Sequence, residues 1–361
     1  MRKLIKINVK EPQKLEKIRI RICTFIECSI CLFITWLVLS LLLCVGFSLL
    51  IYFSFLDLTN WIPIPKEIPN NNIPLLYDIE IQFDASIYEP LTTFSGTGVI
   101  LFKCTNECTN YFYINIGKNL MVEDYNIHKL SNNNDSVEII GSRYQSSNEI
   151  KTFVINEKFD PNFNYTFSFN FYGNINNTIY GKLFSYTGVF TPKSYGILFG
   201  IPEDVNHGLR YLIPSFDNVN FVSPFRWSII RRSEMKSFTN SIISSSQVYD
   251  GLYFKDVFKE TIPLKTVDNT IIIYNCDYND ESNIGSNVNI SSCFRTSALE
   301  KLISIDRIIQ FMCEESYDIG KMDAIIIPGV QTIYKPGIGI LNEGETISEA
   351  KTLSNLGFKE D

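Results

Sequence analysis

Hydrophobic and polar positions alternate with a period of two over much of the first half of the chain. The pattern is clearest at 165–173, YTFSFNFYG, where Tyr165, Phe167, Phe169 and Phe171 share one face. Successive side chains of a strand point to opposite sides, so this alternation predicts a half-buried β-strand. Further strands are predicted at 77–87, 97–103, 111–116 and 151–155. Turn-forming clusters such as TNECTN and SNNNDS separate them, which predicts an antiparallel β-sandwich.

The periodicity changes to that of a helix near residue 297. Ser297 and Glu300 form a capping-box pattern, and apolar residues then recur at helical spacing as far as Met312. A strand is predicted after this helix, at 323–329. A β-region followed by a helix and a strand indicates that residues 282–361 begin an α/β unit.

One stretch departs from both periodicities. The segment from Cys28 to Leu56 contains no charged side chain. As a helix it would extend ~43 Å, more than the ~30 Å hydrocarbon core of a bilayer. A buried helix of a soluble domain is the alternative. We favour a transmembrane segment at 28–56, because apolar runs this long are rare in soluble cores.

Charge on the two sides of this segment predicts its orientation. The stretch 1–22 carries eight Lys or Arg, whereas the chain just after Asp57 is nearly free of positive charge. By the positive-inside rule, residues 1–27 form a cytosolic tail and the bulk of the chain is extracellular or lumenal. A cleaved signal peptide is the alternative, but the basic and apolar regions are both too long and no small-residue cleavage site is evident. We therefore predict an uncleaved signal anchor in a single-pass type II membrane protein.

Composition divides the chain beyond the anchor. Residues 57–72 contain three prolines and an Asn run, which predicts a stiff, extended stalk. The strand-rich region 73–281 is predicted to form one β-domain, ahead of the α/β segment 282–361. Beyond residue 27 the chain carries 24 basic and 36 acidic residues. A surface of that charge disfavours nucleic acid and anionic lipid, so a nucleic-acid partner is excluded.

Cysteines and glycosylation sequons agree with an oxidising compartment. The sequence-local disulfide candidates are Cys104 with Cys108 and Cys276 with Cys293, although spacing does not prove this connectivity and Cys313 is left over. The four Asn-x-Ser/Thr sequons, which we predict to be glycosylated, are at Asn134, Asn164, Asn176 and Asn289.

Residues 208–228, GLRYLIPSFDNVNFVSPFRWS, place two charged residues around an apolar, proline-containing core. Taken alone, the stretch predicts a strand, a proline turn and a second strand, with the charges at the turn. It resembles the A-R-x-x-F-P-C-F-D-E-P segment of the aminopeptidase N family of membrane zinc metallopeptidases. The matching residues are Arg210, Pro214, Phe216 and Asp217. The resemblance implies a structural role for them, closing the β-domain against the catalytic domain.

Other stretches resemble the same family in the same order. They are IPLLYDIEIQ at 73–82, YTFSFNFYGNI at 165–175, FKETIPLKT at 258–266, IIYNCDY at 272–278 and YDIGKMDAIIIPG at 317–329. Each motif alone is weak, but their shared order covers residues 73 to about 345, roughly the first third of a family member. The resemblance implies a mainly β N-terminal domain followed by the start of a thermolysin-like catalytic domain.

The zinc chemistry of that family is not encoded in this sequence. A zinc site of this type needs two His four residues apart, with a Glu as general base, in an H-E-x-x-H motif. The two histidines of this chain, His128 and His207, lie far apart in turn-like sequences, and we interpret both as solvated loop residues. We therefore predict no catalytic residue, no metal ligand and no cofactor, with zinc expected only in full-length active relatives.

The family also binds the α-amine of its substrate through the Glu of a G-A-M-E-N segment. Counting on from Pro328, that segment falls on Ile333, Tyr334, Lys335, Pro336 and Gly337. Pro336 takes the place of the carboxylate, and Lys335 adds a repelling charge beside it. We predict that this amine-binding segment is degenerate.

These observations leave two hypotheses for function. The first is a catalytically inactive, membrane-tethered relative of aminopeptidase N, a pseudoenzyme that serves as an extracellular binding or interaction module for a protein or peptide partner. The second is a truncated form, or an incomplete gene model, of a membrane zinc aminopeptidase that acts on peptide N-termini. We favour the first, because truncation alone would have left the amine-binding segment intact.

Overall fold

Most of the chain that can be described is β-structure. The computed structural model describes residues 32–48, 61–86, 89–105, 107–131, 135–174, 183–187, 195–199, 209–274, 278–284, 288–294, 321–326 and 333–341. Twenty strands in this part of the chain form four sheets. The chain divides into two units, 1–61 and 62–361, which are described separately.

The first unit contains one described helix, α1, at residues 32–48. Its large apolar side chains are exposed, and Trp36 keeps 75% of its surface accessible. Among the described residues, no helix is both long and apolar enough to cross a membrane. The rest of the predicted transmembrane segment, at 28–31 and 49–56, lies outside the described residues, as does the basic tail 1–27.

An eight-stranded sheet is the largest element of the second unit. Across the sheet the strands are β13 (Ile243–Asp250), β14 (Tyr253–Phe258), β11 (Phe225–Arg232), β1 (Asn72–Ser86), β2 (Glu89–Cys104), β8 (Asn164–Asn174), β4 (Leu120–Leu130) and β5 (Asp135–Val137). All neighbours are antiparallel except β1 and β11, which are parallel. Burial along β8 alternates as its sequence pattern predicts, and its four predicted aromatic residues all face the interior.

A three-stranded antiparallel sheet packs on this interior face. Its strands, in spatial order, are β3 (Tyr111–Asn115), β7 (Ile150–Ile155) and β6 (Ile139–Gln145). The two sheets meet through aromatic rings, with centroid distances of 4.9 Å between Phe112 and Phe167 and 5.5 Å between Phe153 and Phe167. These three side chains are fully buried, so this layer is the core of a β-sandwich. The predicted mainly β fold is confirmed.

Two further sheets complete the described part of the unit. A four-stranded sheet contains β12 (Lys236–Thr239), β15 (Ile271–Tyr274), β10 (Tyr195–Phe199) and β9 (Leu183–Thr187). A five-stranded sheet contains β16 (Tyr278–Ile284), β17 (Val288–Phe294), β18 (Lys321–Ile326), β20 (Ile338–Leu341) and β19 (Ile333–Lys335).

The five-stranded sheet is mixed rather than antiparallel. Strand β18 is parallel to both β17 and β20, and parallel neighbours require a crossover connection, as in an α/β unit. The helix predicted from Ser297 to Met312 falls in the connection between β17 and β18, outside the described residues. The domain boundary predicted at 281–282 falls within β16. This strand already pairs with β17 in the five-stranded sheet. The last strand of the four-stranded sheet ends at Tyr274 and the first strand of the five-stranded sheet begins at Tyr278.

The sequence predicts a stiff, extended stalk at 57–72, but its residues 62–72 pack on the β-domain, and the prediction is corrected for this part. Ile62 and Ile68 are buried. A proline lacks an N–H but keeps a strong carbonyl acceptor, and the extended segment uses its carbonyls to bind the sandwich. The carbonyl of Pro63 accepts from the Thr152 hydroxyl at 3.1 Å, and that of Pro65 accepts from the Asn148 amide at 2.6 Å. The segment is therefore an extended strap packed on the β-domain.

Tyr77 on β1 is one of the largest fully buried side chains. Its ring stacks on Phe225 of the parallel neighbour β11 at a centroid distance of 4.4 Å. Its hydroxyl accepts the backbone N–H of Phe216 at 3.0 Å. Burial raises the pKa of Tyr77 well above its ordinary value of 10, because the phenolate would lose its hydration.

This raised pKa makes folding stability depend on alkaline pH. An unfolded Tyr77 ionises near pH 10, whereas the folded residue stays neutral. The folded state should therefore keep its full stability below pH 10 and lose about 1.4 kcal/mol per pH unit above it for this residue. Urea unfolding of the full chain between pH 8 and pH 11.5, followed by tryptophan fluorescence, measures the slope.

The Tyr77→Phe variant should show a shallower loss above about pH 10, because the ionisable group has gone. Exposed Tyr172 on β8 provides the matched control, and Tyr172→Phe should unfold with the parental pH dependence. Equal slopes for Tyr77→Phe and the parent would refute the assignment.

Candidate functional site

The segment from Leu209 to Asp217 forms the centre of the candidate site. Leu209–Tyr211 is a 3-10 turn rather than the predicted strand, and the second predicted strand is β11. Four apolar side chains of the segment are fully buried and anchor it in the core: Leu209, Leu212, Ile213 and Phe216. The anchored segment carries Arg210 into the interior, where it is 6% exposed.

Arg210 and Asp217 form a buried ion pair. The guanidinium Nε donates to Asp217 Oδ2 at 2.7 Å, and both side chains are less than a tenth exposed. The second oxygen of Asp217 accepts from the Thr266 hydroxyl at 2.6 Å. The backbone N–H of Asp217 donates to the Asn115 side chain at 3.2 Å. A buried carboxylate is tolerated only when it is paired and hydrogen-bonded, and Asp217 has both kinds of partner.

Glu149 supplies a second carboxylate to Arg210. Its Oε2 lies 3.5 Å from Nη1 of Arg210 and accepts the Tyr211 hydroxyl at 3.0 Å. Glu149 is buried and has a φ of 56°, in the left-handed region that costs a non-glycine residue free energy. Burial, with the negative charge of Glu149 beside it, raises the pKa of Tyr211, which stays a neutral hydrogen-bond donor.

A second 3-10 turn, Thr266–Asp268, connects this network to the five-stranded sheet. Its first residue holds Asp217, as described above. Its other two residues hold Lys335, whose Nζ donates to the Val267 carbonyl at 2.9 Å and lies 3.4 Å from Asp268 Oδ1. Three consecutive residues thus bridge the Arg210–Asp217 pair and the end of β19.

The predicted degenerate amine-binding segment forms a β-hairpin. Strands β19 and β20 are antiparallel, with Lys335 opposite Ile338, and Pro336 and Gly337 make the turn. Gly337 has a φ of 75°, and proline followed by such a glycine is the pattern of a type II turn. The backbone ribbon is therefore a regular hairpin, and β19 is the outermost of the described strands of its sheet.

Asn240 fixes the turn of this ribbon to the β-domain. Its side-chain N–H groups donate to the carbonyls of Pro336, at 2.8 Å, and Asp268, at 3.0 Å. Its side-chain oxygen accepts the backbone N–H of Thr270 at 2.7 Å. Asn240 is 2% exposed and uses both donors and its acceptor, so the turn has one defined position on the domain.

The ribbon offers no carboxylate to a substrate amine at the position expected for one. Pro336 has no ionisable group, and the Lys335 ammonium is held by a carbonyl and a carboxylate of its own chain. A second ammonium at this place would meet a like charge in a partly buried site, which is unfavourable. The described contacts of Lys335 join the end of β19 to the 3-10 turn Thr266–Asp268.

The family model of the Peptidase M1 N-terminal domain matches residues 73–266, more than half of the chain. The chain belongs to the peptidase M1 family. The aminopeptidase N-like relationship predicted from the sequence is thereby confirmed. The match includes Arg210, Asp217 and Thr266, while the ribbon of this M1 protein lies beyond it.

The histidines of this M1 chain do not provide the ligands of the zinc site expected in active relatives. His128 lies on β4 and is half-buried, opposite Thr166 of β8, rather than in the loop predicted for it. His207 lies outside the described residues. Within the described residues, no group of three or more His, Cys, Asp or Glu side chains could hold a metal ion.

The predicted disulfides and sequons fall on several elements. Cys104, at the end of β2, is bonded to Cys108, with a Cα–Cα distance of 5.7 Å. Cys293 is on β17, and Cys276 lies outside the described residues. Asn164 begins β8 with a partly exposed side chain, and Asn289 is on β17. Asn134 and Asn176 lie outside the described residues.

Sequence reasoning missed four residues of the site, which are Glu149, Asn240, Thr266 and Asp268. Thr266 ends the quoted family stretch FKETIPLKT, so a signal for it was present but carried no role. Glu149 and Asn240 lie in Ser- and Asn-rich segments that predict only turns. Their partners Arg210 and Pro336 are distant in the sequence, and no local pattern reports such contacts.

The Asp217→Ala variant should unfold far more easily than the parent. Without Asp217, the buried charge of Arg210 keeps only Glu149 as a carboxylate partner among the described residues. Breaking a buried pair in this way lowers the free energy of unfolding by ~3–5 kcal/mol. The matched control is Arg226→Ala on β11, where Arg226 pairs with Glu260 at 2.8 Å but is half exposed. That variant should lose less than ~1 kcal/mol. Urea unfolding of both variants decides; similar losses would contradict a central role for the Arg210–Asp217 pair.

Proposed function

We propose that this M1-family chain is a membrane-tethered, catalytically inactive relative of aminopeptidase N. In this proposal it acts outside the cytosol as a binding or interaction module for a protein or peptide. The observation that carries the proposal is the state of the ribbon at 333–337. Its backbone is retained, while the position expected to recognise an amine holds Pro336 beside a neutralised Lys335.

The contacts of Lys335 support the loss of amine recognition. The replacement is accommodated, because Asp268 and the Val267 carbonyl compensate the new charge and Asn240 holds the turn. Without such partners, the ammonium of a partly buried lysine would lose its hydrogen bonds to water and gain no protein hydrogen bonds in return. The segment has become part of the scaffold.

Sequence charge and α1 support the membrane tether. The uncharged segment 28–56 is long enough for a bilayer and follows a strongly basic tail. The described part of that segment, α1, presents its apolar side chains outward on all sides, as a helix in lipid does. The tether makes this a type II protein with its sheets in an oxidising compartment, where the Cys104–Cys108 bond is stable.

The purified full chain should bind no stoichiometric zinc and release no residues from peptide N-termini. A zinc site of the aminopeptidase N type needs two imidazoles that converge from one face of a helix. His128 and His207 are too far apart in the sequence to form that pair. Pro336→Glu should also stay inactive, because it restores a carboxylate without restoring metal ligands. Metal analysis and an aminoacyl-anilide assay are the measurements. One zinc per chain with chelator-sensitive turnover would overturn the proposal.

The full chain in sealed microsomes should be protected from added protease everywhere after Asp57. The basic tail should remain accessible, because the positive-inside rule places it in the cytosol. Treatment with a glycosidase should lower the apparent mass, and Asn164→Gln should remove part of that shift. Digestion of the β-domain in intact vesicles would refute the tether and its orientation without bearing on the inactivity of the ribbon.

A further inference from the structure

The hairpin between β13 and β14 turns immediately after Asp250. Asp250 pairs with Tyr253, so Gly251 and Leu252 form the loop between the two strands. Gly251 has a φ of 41°, in the left-handed region that glycine adopts without steric cost. Aspartate followed by glycine is a favoured sequence for such a tight turn, and no other Asp-Gly pair occurs in the chain.

Both residues of this pair are exposed, and two of their groups have no protein partner. The Asp250 carboxylate makes no hydrogen bond or ion pair within the described part of the chain. The Gly251 N–H also donates to no described acceptor, whereas the next N–H, that of Leu252, donates to the Asp250 carbonyl. A carboxyl group and the amide nitrogen that follows it are thus both free to react.

The space around Gly251 is open as well. A Cβ built on this glycine would meet no atom within 4 Å. Glycine itself has no Cβ that could shield its nitrogen from the preceding side chain. Because the covalent chain holds this nitrogen next to the Asp250 side chain, their reaction is intramolecular and needs no second molecule to be positioned.

We propose that Asp250–Gly251 is a site of spontaneous isoaspartate formation. The Gly251 nitrogen attacks Cγ of the protonated Asp250 carboxyl group, and the new N–C bond closes a cyclic imide. The amide proton and the carboxyl hydroxyl leave together as water. Water then opens the ring: attack at the side-chain carbonyl restores aspartate, whereas attack at the main-chain carbonyl leaves the chain running through Cγ. The water lost in closure is returned in opening, and no oxidant or reductant takes part.

The product lengthens the backbone of the turn by one methylene group. The Leu252 carbonyl accepts the N–H of Ser233 at 2.9 Å, and the Arg232 guanidinium lies 5.9 Å from the centre of the Tyr253 ring. The modification therefore alters the tip of the hairpin and its contacts with the turn after β11, away from the sandwich core. This inference does not depend on the proposed function.

Ageing of the folded full chain near neutral pH, in water enriched in heavy oxygen, tests the site. Ring opening inserts one oxygen from the solvent, so the peptide that contains Asp250 should gain this label, and electron-transfer fragmentation should find isoaspartate at position 250. Asp135 is the internal control, because its exposed carboxylate accepts the Ser131 hydroxyl at 3.0 Å and the following residue, Ser136, carries a Cβ. Labelling at Asp250 should exceed that at Asp135 by about tenfold.

Two further samples separate the chemistry from the fold. Asp250→Glu would need a larger ring, so label at position 250 should fall to the level at Asp135. A peptide of residues 247–254 reports the reaction without the fold, and the folded chain should react within about threefold of its rate. A folded chain that stays unlabelled while the peptide reacts, equal labelling at Asp135 and Asp250, or undiminished labelling in Asp250→Glu would each overturn the proposal.

Discussion

The described β-domain depends on one buried carboxylate. Asp217 is almost inaccessible to water, so its charge has to be compensated within the protein. Arg210 supplies that charge from the first 3-10 turn, Thr266 supplies a hydroxyl from the second, and Asn115 accepts the Asp217 N–H from β3. Three parts of the chain that are far apart in sequence are therefore joined by their contacts with a single residue, two through its carboxylate and one through its backbone N–H. Loss of this centre would affect every element around it.

The same centre is connected to the ribbon at 333–337. Thr266 is oriented by Asp217, and the next two residues of the turn hold Lys335. The position of β19 and β20 thus follows from contacts made by the β-domain. These contacts use Thr266, Val267, Asp268 and Asn240, and none of them involves an ionised side chain at position 336. The M1 match ends at Thr266, the first residue of the 3-10 turn whose next two residues bind Lys335 of the ribbon.

The outcome for individual elements shows how far sequence patterns reach. The alternation in β8 identified the buried face correctly, because a strand with one face on an aromatic core must alternate. The prolines at 63 and 65 indicated an extended chain, but their carbonyls bind Thr152 and Asn148, so the expected stalk is a packed strap. Similarly, the turn-like sequence around His128 proved to be part of β4, since pairing with β8 overrode weak local preference.

The sequence by itself determined the β-rich class, the acidic composition and the M1 motifs. These properties rest on periodicity, composition and short local stretches, which are present before the chain folds. Only the tertiary structure decided that Arg210 pairs with both Asp217 and Glu149, and that Lys335 is neutralised by Asp268. Such pairs form between residues that lie up to 67 positions apart, and packing of the sheets brings them together. A buried charge takes whichever partner the fold supplies, because desolvation penalises every arrangement that leaves it unpaired.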